Sequence, residues 1–94
     1  MTKIETLKME LRDEMKKKID PNIIEDMIVD RYMAHPTSPV YILANNIAGK
    51  LDLPELAIQE NVDLILRTII EDLHYSAVPM VDDESIVTSI EVKF

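Results

Sequence analysis

The chain has 94 residues and a net charge of −8, and 47% of its residues are apolar. This length predicts a single domain over residues 1–94, and the apolar content is too high for a disordered chain. Because the chain has no cysteine, disulfides, zinc–thiolate sites and thiol nucleophiles are excluded. No apolar run approaches the roughly 20 residues of a membrane span, and no signal peptide is recognisable. We therefore expect a soluble cytoplasmic protein that does not enter membranes, either of a cell or of a virus in its host's cytoplasm.

The charge is divided unevenly along the chain. Residues 1–19 carry six basic and four acidic residues, a sum of +2, whereas residues 20–94 sum to −10. The negative field of residues 20–94 repels phosphate and attracts basic partners. Since only four residues are aromatic, we expect an aliphatic core filled out with methionine.

The first predicted helix covers residues 3–19. Its apolar residues lie three or four positions apart and form one stripe, which consists of Ile4, Leu7, Leu11 and Met15. Charged residues cover the other faces. We expect the stripe to pack on the body of the same domain, because tertiary packing stabilises most helices.

Two proline signatures predict the next two helices. Asp20 before Pro21 is an N-cap followed by a proline at the first helical position, and this helix should end near Ala34. Residues 35–39 form a loop. Ser38 before Pro39 repeats the signature, so a third helix is predicted from Pro39 to Leu51.

A fourth helix and a hairpin follow. Asp52-Leu53-Pro54 is read as a turn, and apolar residues at helical spacing then predict one long helix over Glu55–Tyr75. Residues 77–94 read as a β-hairpin, whose second strand should place Ile86, Thr88, Ile90 and Val92 on one side. Because proline cannot donate a ladder hydrogen bond, the strand that contains Pro79 should lie at a sheet edge.

These elements predict a mainly α (α+β) fold of three to four helices followed by a C-terminal β-hairpin. The central apolar pattern, Ile47-Ala48-x-x-Leu51-x-Leu53-Pro54-x-x-Ala57-Ile58-x-x-x-Val62-x-x-Ile65, resembles that of winged helix-turn-helix domains. The resemblance makes residues 39–75 the helix-turn-helix-like unit. It implies that Pro39–Leu51 is the positioning helix, Glu55–Tyr75 the recognition helix and the hairpin the wing. Asp52 stands where the turn of such units often has glycine.

The charge of the implied recognition surface is wrong for DNA. Known DNA-binding domains place Lys and Arg against phosphates, whereas this surface and the hairpin tip are acidic. The candidate binding residues are Glu55, Gln59, Glu60, Asp63, Asp82, Asp83 and Glu84. Such a surface suits a protein partner that is itself basic.

No motif indicates catalysis, a metal or a cofactor. Glu71-x-x-His74 has the spacing found in di-iron bundles, but those need the motif twice together with further carboxylates. The acidic run Asp82–Glu84 lacks the spaced ligands of a calcium loop. One glycine cannot form a phosphate-binding loop. A non-enzymatic protein without cofactors is therefore predicted.

Three functions remain open. The first is a small acidic regulatory protein that binds another protein, for example a phage-type inhibitor of a nucleic-acid-handling protein. The second is a DNA-binding regulator of helix-turn-helix type, in which the first helix or the hairpin edge forms a homodimer interface. The third is a structural or assembly subunit that pairs through the hairpin edge.

Overall fold

The structure is a computed structural model that describes residues 2–93. Helices and strands follow in the order α1, α2, β1, α3, α4, β2 and β3, with the bounds α1 Lys3–Lys18, α2 Pro21–Ala34, β1 Val40–Ile42, α3 Ala44–Leu51, α4 Val62–Arg67, β2 Ser76–Val81 and β3 Val87–Lys93. Two 3₁₀ turns (Pro54–Ala57 and Gln59–Asn61) precede α4, and a π-helical turn (Thr68–Asp72) follows it. The predicted class, mainly α with a C-terminal hairpin, is confirmed. The predicted end of the hairpin, Phe94, lies outside the described residues.

Both N-terminal helices begin at a side-chain cap, and the cap of α2 is the one that the sequence predicted. In α1, Thr2 and Glu5 form a reciprocal capping box, in which the Glu5 N–H donates to Thr2 Oγ1 at 3.2 Å. In α2, the Asp20 carboxylate accepts a hydrogen bond from the Asn22 N–H at 3.0 Å, and Pro21 occupies the first helical position. These caps satisfy amide groups that a helix start leaves without intrahelical partners.

The predicted packing of α1 is wrong for most of its length. No residue of α1 is buried, and Met15 is the only member of the stripe that packs against the core. Ile4, Leu7 and Leu11 remain exposed. The chain measures 48 × 32 × 22 Å along its principal axes.

The third helix begins later than predicted. Residues 40–42 form β1, and α3 starts only at Ala44 after an N-cap, Leu43, that offers no side-chain hydrogen bond. Val40 and Ile42 are buried and pair with Val92 and Ile90 of β3. Pairing with a strand some fifty residues further along the chain therefore overrides the local cap-and-proline signal.

The predicted continuous helix Glu55–Tyr75 is also wrong. Ile58 has an extended backbone (φ −75°, ψ 134°) and separates the two 3₁₀ turns. The regular helix starts only at Val62. Buried Thr68 donates its hydroxyl to the Leu64 carbonyl at 2.9 Å, where the helix widens into the π turn.

The hairpin joins β1 in an antiparallel sheet of order β1-β3-β2. Pro79 lies in the edge strand β2, as predicted. A bulge near Met80 and Val81 shifts the register, so Val87 packs towards the core while Ile86 and Thr88 are exposed. Of the four residues predicted to share one side of this strand, only Ile90 and Val92 are buried.

The core lies between the sheet and helices α2, α3 and α4. Its buried hydrophobic residues are all aliphatic: Ile19, Ile24, Ile28, Val40, Ile42, Ile47, Ala48, Leu56, Val62, Leu64, Ile65, Ile69, Ile90 and Val92. The aliphatic core is confirmed. The expected methionine filling is wrong, since Met15 and Met27 only border the core and Met9, Met33 and Met80 are exposed.

Candidate functional site

The seven predicted binding residues lie on two segments, residues 55–63 and the hairpin turn. All seven side chains are exposed. They do not share one recognition helix, because Glu55 belongs to the first 3₁₀ turn, Gln59 and Glu60 belong to the second, and Asp63 alone lies on α4. Except for Asp63, the predicted binding residues therefore lie on turns.

Gln59 connects the two segments. Its amide nitrogen donates to the Val87 carbonyl at 3.0 Å, and its amide oxygen accepts from the Val87 N–H at 2.9 Å. Val87 is the first residue of β3 and precedes the stretch that pairs with β1. The Gln59 side chain thus supplies hydrogen bonds that a neighbouring strand would make there. Its role in the fold is structural, and both polar ends of its amide are engaged.

The segment that contains Glu55 is closed by a second side chain. Asn61 Nδ2 donates to the Glu55 carbonyl at 3.0 Å, and the Ile58 N–H donates to the same carbonyl at 3.2 Å. Leu56, which lies between Glu55 and Ile58 in the chain, is completely buried. The backbone of this segment is therefore anchored, while the carboxylates of Glu55 and Glu60 are exposed.

The hairpin turn is organised by Asp82. Its Oδ1 accepts from the N–H groups of Glu84 at 2.9 Å and Ile86 at 3.0 Å, and Ser85 adopts the left-handed conformation with φ 64°. Asp82 is thus occupied within the turn. Asp83 and Glu84 are the members of the acidic tip whose carboxylates project from it.

Asp63 is paired with a residue that sequence reasoning did not include. The Arg12 guanidinium of α1 binds both carboxylate oxygens of Asp63, and Lys16 Nζ lies 2.7 Å from Asp72 Oδ2. These ion pairs hold the C-terminal half of α1 across α4 and the π turn. The only signal for them in the sequence was the charge difference between residues 1–19 and the rest of the chain.

A groove separates α1 from the second 3₁₀ turn. It has a volume of about 560 Å³ and is lined by Glu5, Lys8, Met9, Leu11, Arg12, Met15, Glu60 and Asn61. Its α1 wall contributes the cations Lys8 and Arg12 together with the carboxylate of Glu5, and the opposite wall contributes the carboxylate of Glu60. Since Arg12 is paired with Asp63, Lys8 is the remaining cation on this border of the acidic surface.

The exposed face of the sheet carries one further polar pair. Tyr41 of β1 stands opposite Glu91 of β3. The hydrogen bond of its hydroxyl to the Glu91 carboxylate raises the pKa of Tyr41 above its usual value of 10.0, and desolvation and the charge of Glu91 act in the same direction. The pair stabilises the protonated phenol.

The structure assembles no metal site from the Glu71-x-x-His74 motif. Glu71 lies 3.8 Å from Arg67, and His74 has left-handed backbone geometry with φ 62°. Over residues 2–93, no three His, Cys, Asp or Glu side chains come close enough to hold a metal ion. Across the same residues, no helix has the length and apolarity needed to cross a membrane.

Comparison with known proteins adds no relative. No family model, curated protein or solved structure matches the chain. Functional inference therefore rests on the geometry and charge of the surface described above.

Proposed function

We propose that this protein is a non-enzymatic, cytoplasmic binding module that docks on a basic protein surface through an acidic patch. The acidic patch is the exposed carboxylates of Glu55, Glu60, Asp83 and Glu84. It replaces the larger predicted set, because Gln59 and Asp82 are engaged in the fold and Asp63 is paired with Arg12.

The observation that carries the proposal is the double hydrogen bond between Gln59 and Val87. It ties the turn that contains Glu60 to the strand that leads out of the hairpin tip. Carboxylates from two distant parts of the chain are thereby held on a common framework. A prearranged set of charges binds with less ordering cost than charges on mobile loops.

The class of the partner follows from the negative charge of the surface. Residues 20–94 carry a charge of −10, and surfaces of complementary potential steer association and select partners. Proteins that handle nucleic acids present basic grooves to phosphate. We infer that the acidic patch occupies such a groove in place of phosphates, and a phage-type inhibitor is one form that such a protein could take.

In this proposal the winged-helix resemblance concerns the scaffold that carries the acidic patch and not DNA binding. The order of helices followed by a hairpin supports it, and β1 pairs with β3 so that the hairpin is fixed to the helices. Direct DNA binding is disfavoured because the exposed polar residues of α4 and the π turn include Asp63, Glu71 and Asp72, and Arg67 lies beside Glu71. A wing whose tip is acidic would also repel phosphate.

Assembly by strand addition is the weakest alternative. The sheet has two edge strands. One of them, β1, has only three residues, and the other, β2, contains Pro79 and the bulge at Met80. Short strands, proline and bulges are devices that protect an edge from pairing with other chains.

The test is competition with DNA for a basic protein. Fluorescently labelled duplex is bound to each of a panel of purified nucleic-acid-binding proteins, and this protein is titrated in while anisotropy is followed. We expect displacement from at least one member, which weakens as salt is raised from about 50 mM to about 200 mM. The double variant Glu60→Lys/Glu84→Lys should lose displacement.

The matched control is Asp26→Lys/Asp30→Lys, which changes the net charge by the same amount on exposed positions of α2. Equal loss in both double variants would mean that only net charge matters and would contradict a defined patch. Binding of the labelled duplex by this protein alone would favour the DNA-regulator alternative.

A further inference from the structure

The unpaired N-terminal half of α1 is the largest feature that the proposed function leaves unexplained. Ile4 is 67% exposed, Leu7 56% and Leu11 66%. With 3.6 residues per turn these three residues and Met15 fall within about 80° of arc on the helix. They form a continuous apolar stripe, and only its last member reaches the core.

A helix of this kind requires a neighbour. Isolated helices of about 12–15 residues are marginal in water, and most helices in proteins are stabilised by the packing of an apolar face. In α1 the capping box defines the start of the helix, and the contacts at Arg12, Met15 and Lys16 hold its other end. Nothing among residues 2–93 covers the stripe between these ends.

We propose that the stripe is the interface of a homodimer, in which α1 packs antiparallel against α1 of a second copy. If Leu7 faces the partner's Leu11, then Ile4 reaches the partner's Met15. The apolar positions therefore match on reversal of one helix, which is the condition for a two-fold interface.

The charges beside the stripe favour this antiparallel arrangement. Lys3 and Glu14 lie on the flank of the stripe that faces away from the Arg12–Asp63 ion pair. In an antiparallel pair each flank meets the same flank of the partner, so Lys3 faces the partner's Glu14 and opposite charges meet there. On the other flank Arg12 is already bound to Asp63 of its own chain, and Lys8 meets its own counterpart across the two-fold axis.

The charges of the chain disfavour a lipid surface as the partner of the stripe, since residues 20–94 carry −10. Helices that lie on anionic membranes carry mostly Lys and Arg on their polar face. The polar face of α1 instead includes Glu5, Glu10, Asp13 and Glu14, and an acidic body is repelled by anionic headgroups.

The contact area of α1 limits the affinity of the dimer. The 16 residues of α1 give a helix about 24 Å long and about 10 Å wide. This footprint of about 240 Å² per copy is well below the accessible surface of about 800 Å² that each partner buries in a standard interface. We therefore expect weak, reversible association with a dissociation constant on the order of 100 µM.

The experiment is sedimentation equilibrium of the full chain from about 10 µM to about 500 µM, a range that brackets such a dissociation constant. The mass should rise with concentration from 10.8 kDa towards twice that value. Leu7→Lys/Leu11→Lys should weaken association by at least about 100-fold, because four buried leucines are lost per dimer. Met9→Lys, a change on the opposite side of α1, is the matched control and should associate like the unmodified chain.

Charge exchange tests the direction of packing. Lys3→Glu alone should weaken the dimer by about 2- to 10-fold, and Lys3→Glu/Glu14→Lys should restore it. Far-UV circular dichroism checks that each variant keeps its helix content; the body does not depend on Leu7 or Leu11, because both side chains are exposed.

Three results would overturn the proposal. The first is a monomer at every concentration, whether or not the protein then binds vesicles of zwitterionic and anionic lipid. The second is a dimer that Leu7→Lys/Leu11→Lys leaves intact. The third is equal weakening by Met9→Lys, which would place the contact elsewhere on α1.

Discussion

Replacing Gln59 by alanine is the most direct test of how the two acidic segments are held together. The substitution removes both hydrogen bonds to Val87, which span 2.9 and 3.0 Å. Each intramolecular hydrogen bond contributes about 0.5–1.5 kcal/mol net. Because Gln59 is exposed and water can reach the site, the lower half of the summed range applies, about 1–2 kcal/mol.

The measurement is urea unfolding followed by circular dichroism. For a domain of this size a loss of about 1 kcal/mol also lowers Tm by about 4–8 °C. The adjacent Glu60→Ala is the control, since an exposed substitution of this kind changes stability by no more than about 0.5 kcal/mol. Hydrogen exchange at the Val87 amide should accelerate in the Gln59 variant and stay unchanged in the control.

Gln59→Glu separates the two hydrogen bonds. A carboxylate still accepts from the Val87 N–H, but it cannot donate to the Val87 carbonyl. Because one of the two hydrogen bonds is kept, the variant should lose less stability than the alanine variant at neutral pH and regain part of that loss once the carboxyl is protonated. Equal stability of the Gln59→Ala and Glu60→Ala proteins would refute this account of how the segments are joined.

Three further predictions concern other parts of the chain. Gly49→Ala should stabilise the protein by about 0.5–1 kcal/mol in urea unfolding, because Gly49 is helical and an added Cβ meets no atom within 4 Å. Arg12→Ala should change global stability by less than about 1 kcal/mol, yet it should accelerate amide exchange in α1, since the ion pair to Asp63 is one of few contacts that hold this helix. Glu91→Gln should lower the pKa of Tyr41 towards 10.0 in an NMR titration of the tyrosine ring, because the carboxylate that raises it is gone. The stability that the raised pKa supplies is complete below about pH 10 and is lost as pH rises through that pKa.

Local signals were sufficient for the elements whose ends are set by their own residues. Asp20 with Pro21 identified the start of α2, and the position of Pro79 predicted an edge strand. The alternation in residues 86–94 identified β3, but it could not reveal the bulge. Because of that bulge, Val87 packs against the core in place of Ile86. The bulge depends on the pairing of β3 with β2.

Long-range contacts decide the elements that local signals missed. The three residues of β1 follow Ser38-Pro39, which resembles a helix start, and only pairing with β3 makes them a strand. Glu55–Tyr75 has apolar residues at helical spacing throughout. The chain nevertheless breaks at Ile58, where Leu56 is buried and Gln59 binds Val87. The apolar pattern of Glu55–Tyr75 predicts neither contact.

The same limit applies to the candidate site. Its acidic character followed from composition alone, and the exposed carboxylates of Glu55, Glu60, Asp83 and Glu84 agree with it. The pairing of Asp63 with Arg12 could not be predicted, because it depends on how α1 crosses α4. Charge counts identify the sign of a surface, whereas the structure decides which charges are neutralised within it.

Ionic strength should separate the two interactions proposed for this protein. The acidic patch binds through charge, so its affinity for a basic partner should fall as salt is raised. Pairing of α1 depends mainly on apolar burial, which salt affects little. Raising salt from about 50 mM to about 500 mM, at which charges a few ångströms apart are strongly screened, should thus abolish competition with DNA but leave the sedimentation of the dimer nearly unchanged.

The groove beside α1 makes this comparison informative, because it brings the acidic patch and the apolar stripe close to the same helix. Lys8 and Arg12 line the groove opposite Glu60, so the same helix borders the acidic patch and carries the apolar stripe. If salt weakened both interactions in parallel, the dimer would depend on the ion pairs of α1 rather than on Leu7 and Leu11. If neither responded, the acidic patch would not be the binding surface.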